Sequence, residues 1–85
     1  MKDIQEVVLR LHTDLMHERG IDKVSSPDLE IRPRNGITSE SIVLLLLNIE
    51  EELGIELDDY LAKIRVSKTI EALIDVVRQA CEEQL

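Results

Sequence analysis

Residues 36–53 read GITSESIVLLLLNIEEEL, and this stretch decides the fold. Gly36 is a turn residue, Thr38 or Ser39 offers a hydroxyl for an N-cap, and the residues that follow read as a helix. The spacing predicts a helix over 39–53, with Val43, Leu46, Ile49 and Leu53 on its buried face and Gly54 as its stop. The apolar run Ile42–Leu47 is wider than one helical stripe, so Leu44 and Leu47 are left either as further core or as an exposed apolar contact patch.

Outward from this segment the pattern stays helical. Ile4, Val7, Val8, Leu11 and Leu15 recur at helical spacing between Asp3 and Arg19, and Gly20 closes that stretch. Asp58 to Ile64 reads as a short helix with Leu61 and Ile64 inward. Ser67 or Thr69 caps a last helix whose stripe is Ile70, Leu73, Ile74, Val77 and Ala80 or Cys81. Residues 21–38 hold both prolines and the Asn35-Gly36 turn signal, which fits an ordered crossover with Val24, Leu29 and Ile31 dipping into the core. The expected architecture is all-α: one domain over residues 1–85, built from three longer helices, a short one, and a long loop between the first two.

Composition narrows the function. Tyr60 is the lone aromatic residue of the 85, so the stacking platforms of a base-reading module are missing. The net charge of −8 repels phosphate backbones and anionic lipid, which argues against nucleic-acid binding and membrane insertion. The longest apolar run is too short to span a bilayer. Residues 39–60 carry seven acids and no Lys or Arg, so nearly all the excess lies on one helix and the loop after it. Such a face either solvates the chain or steers it toward basic patches on larger proteins. Three successive glutamates, Glu50 to Glu52, oppose the macrodipole at the helix C-terminus, which makes a use for them beyond solubility more plausible.

Other candidate chemistry is weak. His12 and His17 stand five apart, outside the two-His zinc spacing, and are expected at the surface. The single cysteine, Cys81, excludes a disulfide framework or a multi-Cys metal site; it fits a buried small hydrophobe in a reducing, cytoplasmic setting. Met1 leads straight into charged, helix-patterned sequence, so no secretory leader is expected. No pair of groups sits at catalytic spacing, and the expectation is a non-enzyme with no metal.

The layout resembles the acyl carrier proteins along nearly the whole chain. Gly36-Ile37-Thr38-Ser39 is similar to the family's Gly-x-Asp-Ser, and Ile49-Glu50-Glu51-Glu52-Leu53 to its Leu-Glu-Glu-Glu-Phe helix ending. Ile55-Glu56-Leu57-Asp58-Asp59 and Thr69-Ile70-Glu71-Ala72-Leu73-Ile74-Asp75-Val76-Val77 resemble the segments that follow. The resemblance implies an acyl-carrier-like four-helix bundle with a covalent 4′-phosphopantetheine arm on Ser39. It also implies a docking face of Glu40, Leu44, Leu47, Glu50 and Glu51, and an acyl channel beside that helix. The implied partners are a phosphopantetheinyl transferase and acyl-transferring or acyl-modifying enzymes with basic docking patches. These belong to fatty acid, lipid or polyketide-type synthesis, and the carrier itself is expected as a monomer.

Ser41 is a rival attachment point, since Glu40-Ser41-Ile42 mimics the family's Asp-Ser-Leu. Without a gap, however, that register moves Glu51 onto the core face. The chain departs from the family in having Thr38-Ser39-Glu40 at the central triplet, Ser41 and Leu44 at two usually acidic positions, and Arg32 and Arg34 just ahead of the serine. These departures point to a specialised carrier. The alternative is an unmodified helical interaction module derived from the carrier fold, using the Leu44 and Leu47 patch.

Overall fold

The computed structural model describes residues 3–85. Four α-helices follow one another: α1 (Ile4–Glu18), α2 (Ser41–Leu53), α3 (Leu61–Arg65) and α4 (Ile70–Gln84). Short 3-10 turns precede α2 (Pro33–Asn35) and α3 (Asp58–Tyr60). Among the described residues there is no named strand, only an isolated antiparallel bridge between Glu30 and Thr69. The molecule is all-α.

Local sequence explains where α1 and α4 start. Asp3 Oδ1 accepts the Glu6 amide at 3.1 Å to cap α1, and Thr69 Oγ1 accepts the Ala72 amide at 3.2 Å to cap α4. Helix α1 packs on α2 and α4, and α3 packs on α4. Their shared core takes Val8 and Leu15 from α1, Leu45, Leu46 and Ile49 from α2, Ile64 from α3, and the full stripe Ile70, Leu73, Ile74, Val77, Ala80 and Cys81 from α4. Burial pushes the Cys81 thiol above its ordinary pKa, so it stays protonated and apolar in character.

The crossover between α1 and α2 is stitched to the loop before α4. The Ile31 amide donates to the Lys68 carbonyl and the Ile70 amide to the Leu29 carbonyl, both at 2.9 Å, while Glu71 N–H reaches Pro27 O at 2.8 Å. These bonds hold residues 27–31 against the loop after α3 and the first turn of α4. Leu29 and Ile31 are half-buried on the core, as their spacing predicts. Val24 is not: it is 78% exposed. Side chains of an extended segment alternate, and here Ser25 takes the inward position, which turns Val24 to solvent.

Three further expectations need correction. Val43 is 55% exposed, and Leu45 takes the core place beside Leu46 and Ile49. At about 100° per residue, the face set by Leu45, Leu46 and Ile49 leaves Val43 about 120° away from its centre. His12 is fully buried rather than at the surface, because it continues the α1 stripe of Val8 and Leu15. Leu61 is exposed at the start of α3, whereas Ile64 is buried as expected.

Candidate functional site

The site begins at the turn into α2. Gly36 has φ +80°, a left-handed conformation that ends the preceding 3-10 turn and aims the chain at Thr38. Thr38, not Ser39, is the cap: its Oγ1 accepts the Ser41 amide at 3.1 Å and its carbonyl accepts the Ile42 amide at 3.0 Å. Ser41 returns the bond, its Oγ accepting the Thr38 amide at 2.8 Å and donating to the Gly36 carbonyl at 2.6 Å. Ser41 is 3% exposed and its hydroxyl is committed in both directions.

Ser39 and Glu40 sit between these two capping residues and are exposed. Glu40 already has helical backbone angles, φ −84° and ψ −48°, so the pair forms the first turn of the helix outside its capping bonds. Among the described residues neither the Ser39 nor the Glu40 amide has a backbone hydrogen-bond partner. The Ser39 hydroxyl thus stands in solvent at the positive end of α2, where an attached anion is favoured. It has no histidine beside it: His12 is buried on α1, bonded to Ser25 and Asn35. Nothing in this arrangement makes Ser39 a nucleophile by itself.

A groove of about 620 Å³ opens beside Ser39, between α2, α3 and the crossover. Ile31, Ile37, Ile42, Leu46 and Ile64 line it, with Val43 and Leu61 at its exposed edge. Its other liners are Pro33, the hydroxyl residues Thr38, Ser39 and Ser67, and one charged residue, Arg65. On the far side of α2, Leu44 and Leu47 are 46% and 53% exposed and form an apolar face. Glu51 is exposed near it.

Glu50 has an internal task that its sequence context did not suggest. Its Oε2 accepts the Leu57 amide at 2.6 Å, tying the end of α2 to the turn that enters α3. Glu52 pairs with Arg10 of α1 at 2.9 Å. Two of the three glutamates that oppose the macrodipole therefore hold other parts of the chain.

The crossover is held from below by a polar cluster that sequence reasoning missed. His12 Nε2 lies 2.8 Å from the Asn35 carbonyl and must carry the proton to donate there. Nδ1 is then the acceptor for the Ser25 hydroxyl at 2.6 Å. Lys23 Nζ donates to Asn35 Oδ1 at 2.9 Å, and Asn35 Nδ2 donates to the Glu30 carbonyl at 2.8 Å. The available signal was the position of His12 within the apolar stripe of α1. Burial lowers the His12 pKa from its ordinary value, with the bond to the Asn35 carbonyl opposing that shift.

A second depression of about 490 Å³ lies over α1 and α4, but its arginines are engaged, Arg10 with Glu52 and Arg78 with Gln5. Among the described residues no group of three or more His, Cys, Asp or Glu side chains is placed to hold a metal ion. No described helix is long and apolar enough to cross a membrane. Comparison with protein-family models, curated proteins and solved structures returns no match for this chain.

Proposed function

We propose that this chain is an acyl carrier protein, bearing 4′-phosphopantetheine on Ser39 and passing thioester-bound acyl groups between enzymes of fatty acid, lipid or polyketide-type synthesis. One observation carries the reading. Ser39 presents a free hydroxyl at the head of α2 on the rim of an aliphatic groove, while the neighbouring Ser41 is buried in the cap. In the modification, Ser39 Oγ forms the new P–O bond as the diphosphate of coenzyme A breaks. Its proton passes to a base of the transferase and adenosine 3′,5′-bisphosphate leaves.

The chain's own part is presentation, not catalysis. The groove gives an acyl chain apolar cover, at roughly 25 cal/mol per Å² of surface removed from water. The exposed face of Leu44 and Leu47 supplies an apolar centre for docking, and Glu40 and Glu51 steer it toward basic patches on partner enzymes. The test is intact mass after co-expression with a broad-specificity phosphopantetheinyl transferase. A gain of one arm that Ser39→Ala abolishes and Ser41→Ala retains supports the reading. No gain with any transferase overturns it in favour of an unmodified interaction module, the reading that the exposed Leu44 and Leu47 face would then support.

A further inference from the structure

Among the described residues Arg65 is the one charged residue lining the aliphatic groove that Ser39 borders. Arg10, Arg32 and Arg34 each meet a carboxylate, on Glu52 and Glu30. Among the described residues no carboxylate or hydrogen-bond acceptor engages the Arg65 side chain. Arg65 is exposed, so its aliphatic stem lies at the groove wall while its guanidinium is open to solvent and to a ligand. The nearest acid in sequence to the attachment point, Glu40, is not among the groove's liners, and Glu30 is taken up by Arg32 and Arg34. Among its described liners the groove therefore combines mainly aliphatic walls and three hydroxyl residues with one positive charge and no acid.

Resting on the reading that Ser39 carries the arm, we infer that this groove selects acyl groups ending in a carboxylate, that is, dicarboxylic acyl thioesters. An aliphatic chain held against Ile42, Leu46 and Ile64 shares the groove with Arg65, whose guanidinium suits a terminal carboxylate through its fork of N–H donors. A plain alkyl end gains nothing from that charge. An amino-terminated chain is repelled by it.

The experiment loads the arm with octanoyl, octanedioyl or ω-aminooctanoyl groups from the matching coenzyme A thioesters. It then follows cleavage of each thioester by hydroxylamine, which slows when the chain is held in the groove. The octanedioyl form is expected to be cleaved about threefold more slowly than the octanoyl form, a difference of the size an exposed ion pair gives. The ω-aminooctanoyl form is expected to be cleaved fastest, with Arg65→Gln removing the spread and Arg65→Lys keeping part of it. Equal rates, or a spread that survives Arg65→Gln, overturn the inference while leaving the carrier reading intact. A change in the phosphorus resonance of the unloaded arm on Arg65→Gln, without any change in the spread, assigns Arg65 to the phosphodiester and likewise overturns it. Failure of Ser39 to gain any arm overturns both together and is seen in the mass before hydroxylamine is added.

Discussion

Thr38 and Ser41 cap one another across the first turn of α2, the Thr38 amide donating to Ser41 Oγ at 2.8 Å and the Ser41 amide to Thr38 Oγ1 at 3.1 Å. This reciprocal pair leaves Ser39 outside the capping bonds, so the proposed attachment point and the cap are different hydroxyls. Ser41→Ala strands the Thr38 amide and the Gly36 carbonyl and is expected to lower stability by about 1.5 kcal/mol. Ser39→Ala is expected to stay within about 0.5 kcal/mol of the parent. Urea denaturation of the two variants checks the contrast, and equal losses would mean that Ser39 also caps.

Gly36 sets the direction of the same turn. Its φ of +80° suits glycine, and a Cβ there would lie 3.3 Å from Met16 Cγ. Gly36→Ala is expected to destabilise the chain by about 1–2 kcal/mol through the left-handed penalty, with a further contribution from the crowded methionine. Gly54 also has positive φ, at +68°, but nothing lies within 4 Å of the place its Cβ would occupy. Gly54→Ala should therefore show the conformational penalty alone, and thermal unfolding of the pair separates the two contributions.

His12 predicts a pH dependence. Its ordinary pKa is 6.5 and burial lowers it in the folded chain. Below pH 6.5 the unfolded chain takes up a proton that the folded chain resists, so the imidazole's contribution to stability is lost as pH falls through the folded pKa. Above pH 6.5 both forms are neutral and His12 adds no slope. His12→Gln is expected to lose about 2 kcal/mol at neutral pH, from a buried site where two hydrogen bonds must be remade. It should also flatten the acid limb relative to the parent, as denaturation midpoints across that range will show.

The order of elements was legible because periodicity and punctuation agree: the stripes of α1 and α4 and the stop at Gly20 lie where the pattern puts them, and of Ser67 and Thr69 it is Thr69 that caps α4. The exposed position of Ser39 follows from the same signals. What periodicity could not resolve was the uniform run Ile42–Leu47, where several rotations of the helix bury equally apolar residues. The choice of Leu45 over Val43 is made by how α2 packs on the shared core, a tertiary fact. The inward turn of Ser25 and His12 was hidden for another reason. A hydroxyl and an imidazole look like surface residues until each supplies the partner that makes burial of the other tolerable.

The two faces of α2 give a direct test of that rotation. Leu45 is 1% exposed and Leu47 53%. Leu45→Ala is expected to cost about 3 kcal/mol by opening a core cavity, whereas Leu47→Ser should change stability by less than about 0.5 kcal/mol. If the Leu47 face docks partners, Leu47→Ser lowers the rate of acyl transfer to a partner enzyme while the folded protein is unchanged. Similar losses of stability at both positions would place Leu47 in the core and remove the docking face.

Glu50 and Glu51 separate structure from steering on the same helix. The Glu50 carboxylate holds the Leu57 amide at 2.6 Å, so Glu50→Ala frees the loop that enters α3 and is expected to lower stability by about 1 kcal/mol. Glu51 is exposed with no such bond, and Glu51→Lys should leave stability nearly unchanged. On the proposed docking role its effect is expected in association instead: reversing one charge weakens long-range attraction to a basic patch, and added salt screens that loss. Transfer rates to a basic partner, measured at low and high ionic strength, should therefore differ between parent and Glu51→Lys only at low salt. A salt-independent defect in Glu51→Lys would mean that the residue makes a short-range contact rather than steering.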